Sequence, residues 1–219
     1  ASAQVKSALL LAGLQARGIT RVTEPAPTRD HTERMLAGFG AQLSRQGATI
    51  AIAGGQTLRG TPVQVPGDFS SAAFFIVAGC LAAPSGLTVR GVGINPTRTG
   101  LLDLLRLMGA RITVTPIASA GPEPLADITA YASPLRGVVI PQELVPLAID
   151  ELPVLFIAAA CAGGETLVRG AGELRVKESD RLAAMAAGLA AIGAQCELLP
   201  DGLRIQGGTL RGGSVDSHG

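Results

Sequence analysis

Seven consecutive residues, Arg175-Val176-Lys177-Glu178-Ser179-Asp180-Arg181, place two arginines, a lysine and two carboxylates directly before an apolar stretch that begins at Leu182. A planar guanidinium such as that of Arg181 grips a carboxylate or phosphate through parallel N–H bonds. A lysine beside a glutamate suits proton transfer near an anion, because the cation holds charge while the carboxylate moves protons. Asp180 is a fair helix cap, so the structural alternative is a solvated charged loop ahead of a capped helix. A second acidic pair, Asp150-Glu151, opens an apolar segment containing Pro153. It reads either as a simple partner of the helix dipole or as a base that takes a proton from a substrate hydroxyl. Ser2-Ala3-Gln4 opens another apolar segment with Lys6 one turn in; Ser2 either caps that helix or offers its hydroxyl and the neighbouring N–H groups to a phosphate. Arg29, in Thr28-Arg29-Asp30-His31, either binds an anion or pairs with Asp30 or Glu33. Thr97-Arg98-Thr99 reads as structural, and Asp68-Phe69-Ser70-Ser71 as a helix cap. The sequence has no Walker-type glycine loop and no Gly-x-Ser-x-Gly elbow.

The elements that must position these groups recur three times. A Gly-x-Thr step stands at Gly18/Thr20, Gly86/Thr88 and Gly164/Thr166, each after an Ala-rich helical stretch. A Gly-Ala step follows at Gly40-Ala41, Gly109-Ala110 and Gly193-Ala194, each after a second helical stretch. The tail Gly54-Gly55-Gln56-Thr57-Leu58-Arg59-Gly60 resembles Gly207-Gly208-Thr209-Leu210-Arg211-Gly212. Such periodicity marks one supersecondary unit repeated. Each repeat reads as helix, short strand, loop, helix and two strands. The first helices, Val5 to Leu14, Ala72 to Ala82 and Leu152 to Ala162, are apolar nearly all round, which predicts burial; the second helices, such as Thr32 to Phe39 and Leu101 to Met108, are more amphipathic. Helices inside and sheets outside satisfy this pattern. Buried, roughly parallel helices would gather their N-termini on one side, where unsatisfied N–H groups and partial positive charge favour phosphate or carboxylate unless their own Ser and Asp caps satisfy them.

With 16% charged and 47% hydrophobic residues in 219, the chain can bury a substantial core and is not of disordered composition. A net charge of +1 and 3% aromatics supply neither the field nor the stacking surface that nucleic acid requires. Cys80, Cys161 and Cys196 are widely spaced and odd in number, and His31 and His218 are distant, so neither a disulfide scaffold nor a metal centre is expected. No secretory signal is visible at the start, and the most apolar stretch, Leu152 to Ala162, is too short to span a bilayer. A soluble cytoplasmic protein is expected, with termini at Ala1-Ser2 and His218-Gly219 that do not look natural.

Taken in order, Ser2-Ala3-Gln4-Val5-Lys6-Ser7, Thr28 to Glu33, Pro66 to Ser71, Asn95 to Gly100, Asp150-Glu151 and Arg175 to Arg181 resemble the EPSP synthase (3-phosphoshikimate 1-carboxyvinyltransferase) family over the whole chain. The last segment is the most specific. The resemblance implies transfer of the enolpyruvyl group of phosphoenolpyruvate to the 5-hydroxyl of shikimate 3-phosphate, with release of phosphate. This is a step of the shikimate pathway to the aromatic amino acids and the target of glyphosate. It passes through a tetrahedral adduct and needs no metal or organic cofactor. The implied fold is α/β, of βαβαββ units with buried parallel helices and outer sheets (an inverse α/β prism). Residues 1–66 would be one unit of a first domain, and 67–219 most of a second, in units of about 67–138 and 139–219. By position, Ser2, the Ala3 backbone, Gln4, Arg29, Asp150 and Lys177 would bind shikimate 3-phosphate, while Gln4 and Arg181 would meet phosphoenolpyruvate. Asp150 would take the 5-hydroxyl proton, and Glu178 would join in proton transfer at the enolpyruvyl carbons.

Relative to the family pattern the chain lacks an N-terminal portion, with a Lys-Ser pair, an arginine for each substrate and a glycine-rich loop tied to glyphosate sensitivity. It also lacks an Asp-His-Arg segment and a catalytic lysine near the C-terminus. The 219-residue chain alone is therefore expected to be inactive, and to self-associate through uncovered sheet edges, whereas the full-length enzyme is expected to be a monomer. UDP-N-acetylglucosamine 1-carboxyvinyltransferase, which shares the fold, should lack the run from Lys177 to Arg181. The remaining alternatives are a non-catalytic excised domain and an RNA-cyclase-like protein, the latter opposed by the neutral charge and scarce aromatics.

Overall fold

The computed structural model describes residues 2–216; His218 lies outside them. The chain forms two compact units, one of residues 1–66, 93–97 and 117–125, the other of residues 67–92, 98–116 and 126–219. Element order follows the repeat. The first repeat holds α1 (Ala3–Gln15), β1 (Ile19–Thr23), α2 (His31–Gly38), β2 (Leu43–Gln46) and β3 (Thr49–Ala53). The second holds α3 (Phe69–Ala82), β4 (Leu87–Gly93), α4 (Gly100–Leu107), β5 (Arg111–Ile117) and β6 (Leu125–Tyr131). The third holds α5 (Leu152–Ala160), β7 (Glu165–Val168), α6 (Arg181–Ala191), β8 (Gln195–Leu199) and β9 (Gly202–Gln206), with 3-10 turns at Gln142–Leu144 and Gly172–Val176. Each repeat builds a three-stranded sheet whose last strand lies in the middle: β1-β3-β2, β4-β6-β5 and β7-β9-β8.

The recurring glycines have a backbone cause. Gly40, Gly109 and Gly193, each just past a second helix, have φ of 86°, 95° and 86°, a region in which a Cβ is strained. The alanine after each donates its N–H five residues back, Ala41 to Leu36, Ala110 to Leu105 and Ala194 to Leu189. This is the Schellman helix stop, with its apolar contact between the alanine and the leucine.

The tails close each repeat on itself. Gly55, Ser133 and Gly208 donate N–H bonds of 2.8, 2.9 and 3.0 Å to Leu14, Cys80 and Ala160 near the ends of the first helices. Arg59, Arg136 and Arg211 donate N–H bonds of 2.9, 2.8 and 2.7 Å to Phe39, Met108 and Ile192, the C-caps of the second helices. Orphan helix carbonyls are thereby satisfied. The arginines belong to a Leu-Arg-Gly triplet that occurs in all three repeats, at 58–60, 135–137 and 210–212. The tail comparison made on sequence covered only the first and third.

Two short parallel bridges supply the leading strand of the second and third repeats: Gly67 with Val92, and Val139 with Leu167.

In the first compact unit Leu10 and Leu14 of α1 pack with Leu36, Ala41, Ile50 and Ile52. Each of these leucine and isoleucine side chains contributes roughly 1.5–3 kcal/mol on burial. In the second, α5 packs against α3, α4, α6 and β9, and Leu152, Leu155, Phe156, Ala158, Ala159 and Ala160 are fully enclosed.

The expectation that all three first helices are buried all round holds for α5 and needs correction for the other two. On α1, Val5 is 59% exposed and Leu9 47%, while Leu10 and Leu14 on the other side are buried; on α3, Phe74 and Phe75 are 64% and 58% exposed. The exposed positions follow helical spacing (4, 5, 8, 9, 11, 12, 15 and 71, 74, 75, 78, 82), so each helix presents one stripe to its own sheet and a broader one outward. Apolarity says that a face can be buried, not that a neighbour covers it. Among the described residues no helix is long and apolar enough to cross a membrane.

Candidate active site

Each compact unit carries part of the predicted set. In the first, Ser2 is extended (φ −139°, ψ 118°) and accepts the Val5 N–H at 3.3 Å, so it caps α1. Ala3 and Gln4 form the first turn, where backbone N–H groups lack intrahelical partners, and Gln4 is exposed. Lys6, one turn in, is buried in ion pairs with Glu24 at 2.9 Å and Glu33 at 2.7 Å. It is a structural cation, not one turned toward a ligand. Glu24 also receives both the N–H and the hydroxyl of Thr28 and, at 3.0 Å, a guanidinium N–H of Arg45. Burial pushes the Glu24 carboxyl up, but the Thr28 hydrogen bond, Lys6 and Arg45 together hold it below the usual glutamate value. This knot ties the loop bearing Arg29 to the first turns of α1.

Arg29 itself is exposed. Asp30 accepts Arg34 Nε at 2.9 Å and Asn95 Nδ2 at 2.7 Å, and Glu33 holds Lys6. Burial works against the Asp30 charge, yet the bonds from Arg34 and Asn95 hold its carboxyl below the usual aspartate range. His31 pairs through Nδ1 with Glu123 at 2.8 Å.

In the second compact unit the charged run divides by function. Arg175 turns inward and donates to Asp180 and to the carbonyls of Leu199 and Pro200, each at 2.7 Å. It clamps the segment onto the end of β8. Asp180 caps α6 by accepting the Ala183 N–H at 2.9 Å, and that bond chiefly holds its carboxyl low. Lys177 and Glu178, neighbours in sequence, pair with different groups. Lys177 is extended (φ −75°, ψ −162°), and successive side chains on extended backbone point to opposite faces. Lys177 Nζ accordingly lies 2.7 Å from Glu173 and 3.7 Å from Asp150, while Glu178 pairs at 2.7 Å with Arg181. Glu178 is exposed, and its own backbone N–H and the Arg181 guanidinium hold its carboxyl below the usual range. It is an ionised group at neutral pH.

Asp150 stands just ahead of α5, whose N-cap is Glu151. Arg98 reaches it with Nη1 at 2.8 Å from Asp150 Oδ2, while Nη2 lies 3.0 Å from Glu151 and 2.7 Å from Ser70 Oγ. Reasoning from sequence set Arg98 and Ser70 aside as structural and left out Glu173. Their placement depends on pairings across dozens of positions, and short-range spacing carries no signal for those. Asp68 caps α3 as foreseen, accepting the Ser71 N–H at 2.7 Å. Cys80, Cys161 and Cys196 are free thiols, and among the described residues no cluster of three or more His, Cys, Asp or Glu could hold a metal ion.

By its αβαββ repeats the chain has the enolpyruvyl-transferase fold, as two solved structures show. An EPSP synthase of Acinetobacter baumannii superposes with a TM-score of 0.94 at 52% identity, over all of this chain and 51% of that one. An enolpyruvyl transferase of Streptomyces tendae superposes with a TM-score of 0.68 at 25% identity, over 90% of this chain and 44% of that one. The sequence profile of EPSP synthase (3-phosphoshikimate 1-carboxyvinyltransferase) matches residues 1–219, and the chain belongs to that family. The 3-phosphoshikimate 1-carboxyvinyltransferase of Alkalilimnicola ehrlichii is 62% identical, over all of this chain and 49% of that protein. The chain thus spans about half the length of the curated relatives it matches.

Proposed function

We propose that this chain carries part of the active site of a 3-phosphoshikimate 1-carboxyvinyltransferase. In this reading the substrates are shikimate 3-phosphate and phosphoenolpyruvate, and the enolpyruvyl group passes to the 5-hydroxyl as phosphate leaves. The observation that carries the reading is Asp150, an ionisable group held by Arg98 and facing Lys177 at the mouth of a fully buried helix. As the 5-hydroxyl attacks, Asp150 takes its proton, and Lys177 stabilises the anionic substrate alongside. Ser2, the Ala3 N–H, Gln4 and Arg29 bind shikimate 3-phosphate; the exposed first turn of α1 supports this, since helix N-termini favour phosphate. Gln4 and Arg181 hold phosphoenolpyruvate, and the ionised Glu178 beside Arg181 exchanges protons at the enolpyruvyl carbons.

Residues 1–66 then constitute one unit of a first domain, and 67–219 most of a second. The outward stripes of α1 and α3 would meet the remainder of a longer, cytoplasmic polypeptide, in keeping with the free thiols. Calorimetric titration of the 219-residue chain with shikimate 3-phosphate tests the binding half of the reading. We expect saturable binding that Arg29→Ala and Lys177→Ala each weaken, and no phosphate release when both substrates are supplied. Absence of binding, or binding indifferent to both substitutions, would sink it.

A further inference from the structure

We propose that Arg98 is a positioning residue, which grips Asp150 Oδ2 so that Oδ1 stays turned toward Lys177, and which is itself locked in place by Ser70 and Glu151. The inference rests on the reading of Asp150 as the proton acceptor and adds a residue to it.

The geometry is specific to a guanidinium. Arg98 lies on the turn before α4, with its side chain 13% exposed. One terminal nitrogen meets Asp150 at 2.8 Å, and the other meets Glu151 at 3.0 Å and Ser70 Oγ at 2.7 Å. Ser70 closes the loop by donating its hydroxyl to Glu151 Oε1 at 2.5 Å. Two consecutive carboxylates at the start of one helix are thus bridged by one planar fork, whereas an ammonium offers a single point charge. Because Glu151 is buried, the fork cannot swing away from Asp150 without stranding that carboxylate.

Charged groups of other elements face Asp150 and its immediate neighbours. Arg98 comes from the turn before α4, and Lys177 from the segment after the turn Gly172–Val176. Glu173 reaches it through Lys177 at 2.7 Å, and Glu151 is the adjacent residue. Arg98 is the near cation at 2.8 Å, whereas Lys177 stands at 3.7 Å and is shared with Glu173. Arg98 therefore sets both the orientation of Asp150 and the pH at which it takes a proton.

The test is a carbon-13 titration of aspartate side-chain carboxyls in the 219-residue chain, with Asp150 assigned by its loss in Asp150→Asn. An opposite charge at this distance typically shifts an aspartate by roughly 1–3 pH units. Arg98→Gln should therefore move the Asp150 midpoint upward by at least about one unit, and Arg98→Lys should recover part of that shift. Since Arg98→Gln leaves Glu151 buried without its cation, the same comparison is made between Glu151→Gln and Arg98→Gln/Glu151→Gln, where no buried charge is stranded. An upward shift in either background supports the assignment. A midpoint that stays in place while only the urea midpoint falls would make Arg98 a structural residue and overturn it. Failure of the underlying reading looks different. Asp150→Asn in the full-length enzyme carrying this chain would then leave turnover intact, while the Arg98-dependent shift of Asp150 persists.

Discussion

Replacing Lys6 by Met tests the knot that holds the Arg29 loop against α1. The ammonium lies 2.9 Å from Glu24 and 2.7 Å from Glu33, with side chains 2%, 4% and 14% exposed. Removing one partner of a buried pair costs about 3–5 kcal/mol, because the other charge is left without compensation. Glu24 would keep Thr28 and the Arg45 guanidinium at 3.0 Å, so the expected loss lies at the low end, ~3 kcal/mol at pH 7. That is roughly a hundredfold in the unfolding constant. The pH dependence has a definite sign. The folded Glu24 carboxyl titrates below its reference value of 4.5, so its contribution is fully present above that pH and is lost as pH falls through the folded value. Lys6→Met removes much of the cause of that depression. The gap between wild type and variant should therefore be widest at neutral pH and shrink as Glu24 protonates. Urea unfolding at several pH values, followed by circular dichroism, measures it. A gap that is equally large at neutral and acidic pH, or below about 0.5 kcal/mol throughout, would refute the electrostatic reasoning and leave Lys6 as packing only.

At Gly54 and Gly207 a Cβ would run into the carbonyl oxygens of Ala16 and Ala162, whereas at Gly208 no atom lies within 4 Å; Gly54→Ala and Gly207→Ala should each cost ~1–3 kcal/mol in urea denaturation, and Gly208→Ala much less. Arg175→Ala should lower the urea midpoint more than Arg181→Ala, since Arg175 donates to two backbone carbonyls and Asp180 while Arg181 pairs with the exposed Glu178. The order should reverse for phosphoenolpyruvate binding.

The repeat was legible because its punctuation has a steric cause. A Gly-Ala step ends each second helix since only a glycine tolerates φ near +90° there, and the alanine after it completes the stop. Caps at Ser2, Asp68 and Asp180 were legible for a similar local reason. What sequence could not convey was company. The apolar helices α1, α3 and α5 look alike as strings, yet only α5 has neighbours on all sides. Likewise, Lys177 and Glu178 are adjacent in sequence and part company in space, while Arg98 and Asp150 are distant in sequence and touch. The middle Leu-Arg-Gly triplet went unseen because Ala132-Ser133-Pro134 precedes it, without the paired glycines of the other two tails.

Those three triplets have a kinetic consequence. A tail that fastens both helices of its own repeat makes the repeat, not the whole chain, the smallest piece that can open. The amide protons of Arg59, Arg136 and Arg211 are then natural reporters of these openings in hydrogen exchange, each breaking together with its partner at Gly55, Ser133 or Gly208. The middle tail is also tied to the third repeat, by Gly137 N–H to Gly163 and Gly163 N–H to Leu135, so those two openings are coupled while the first stays local.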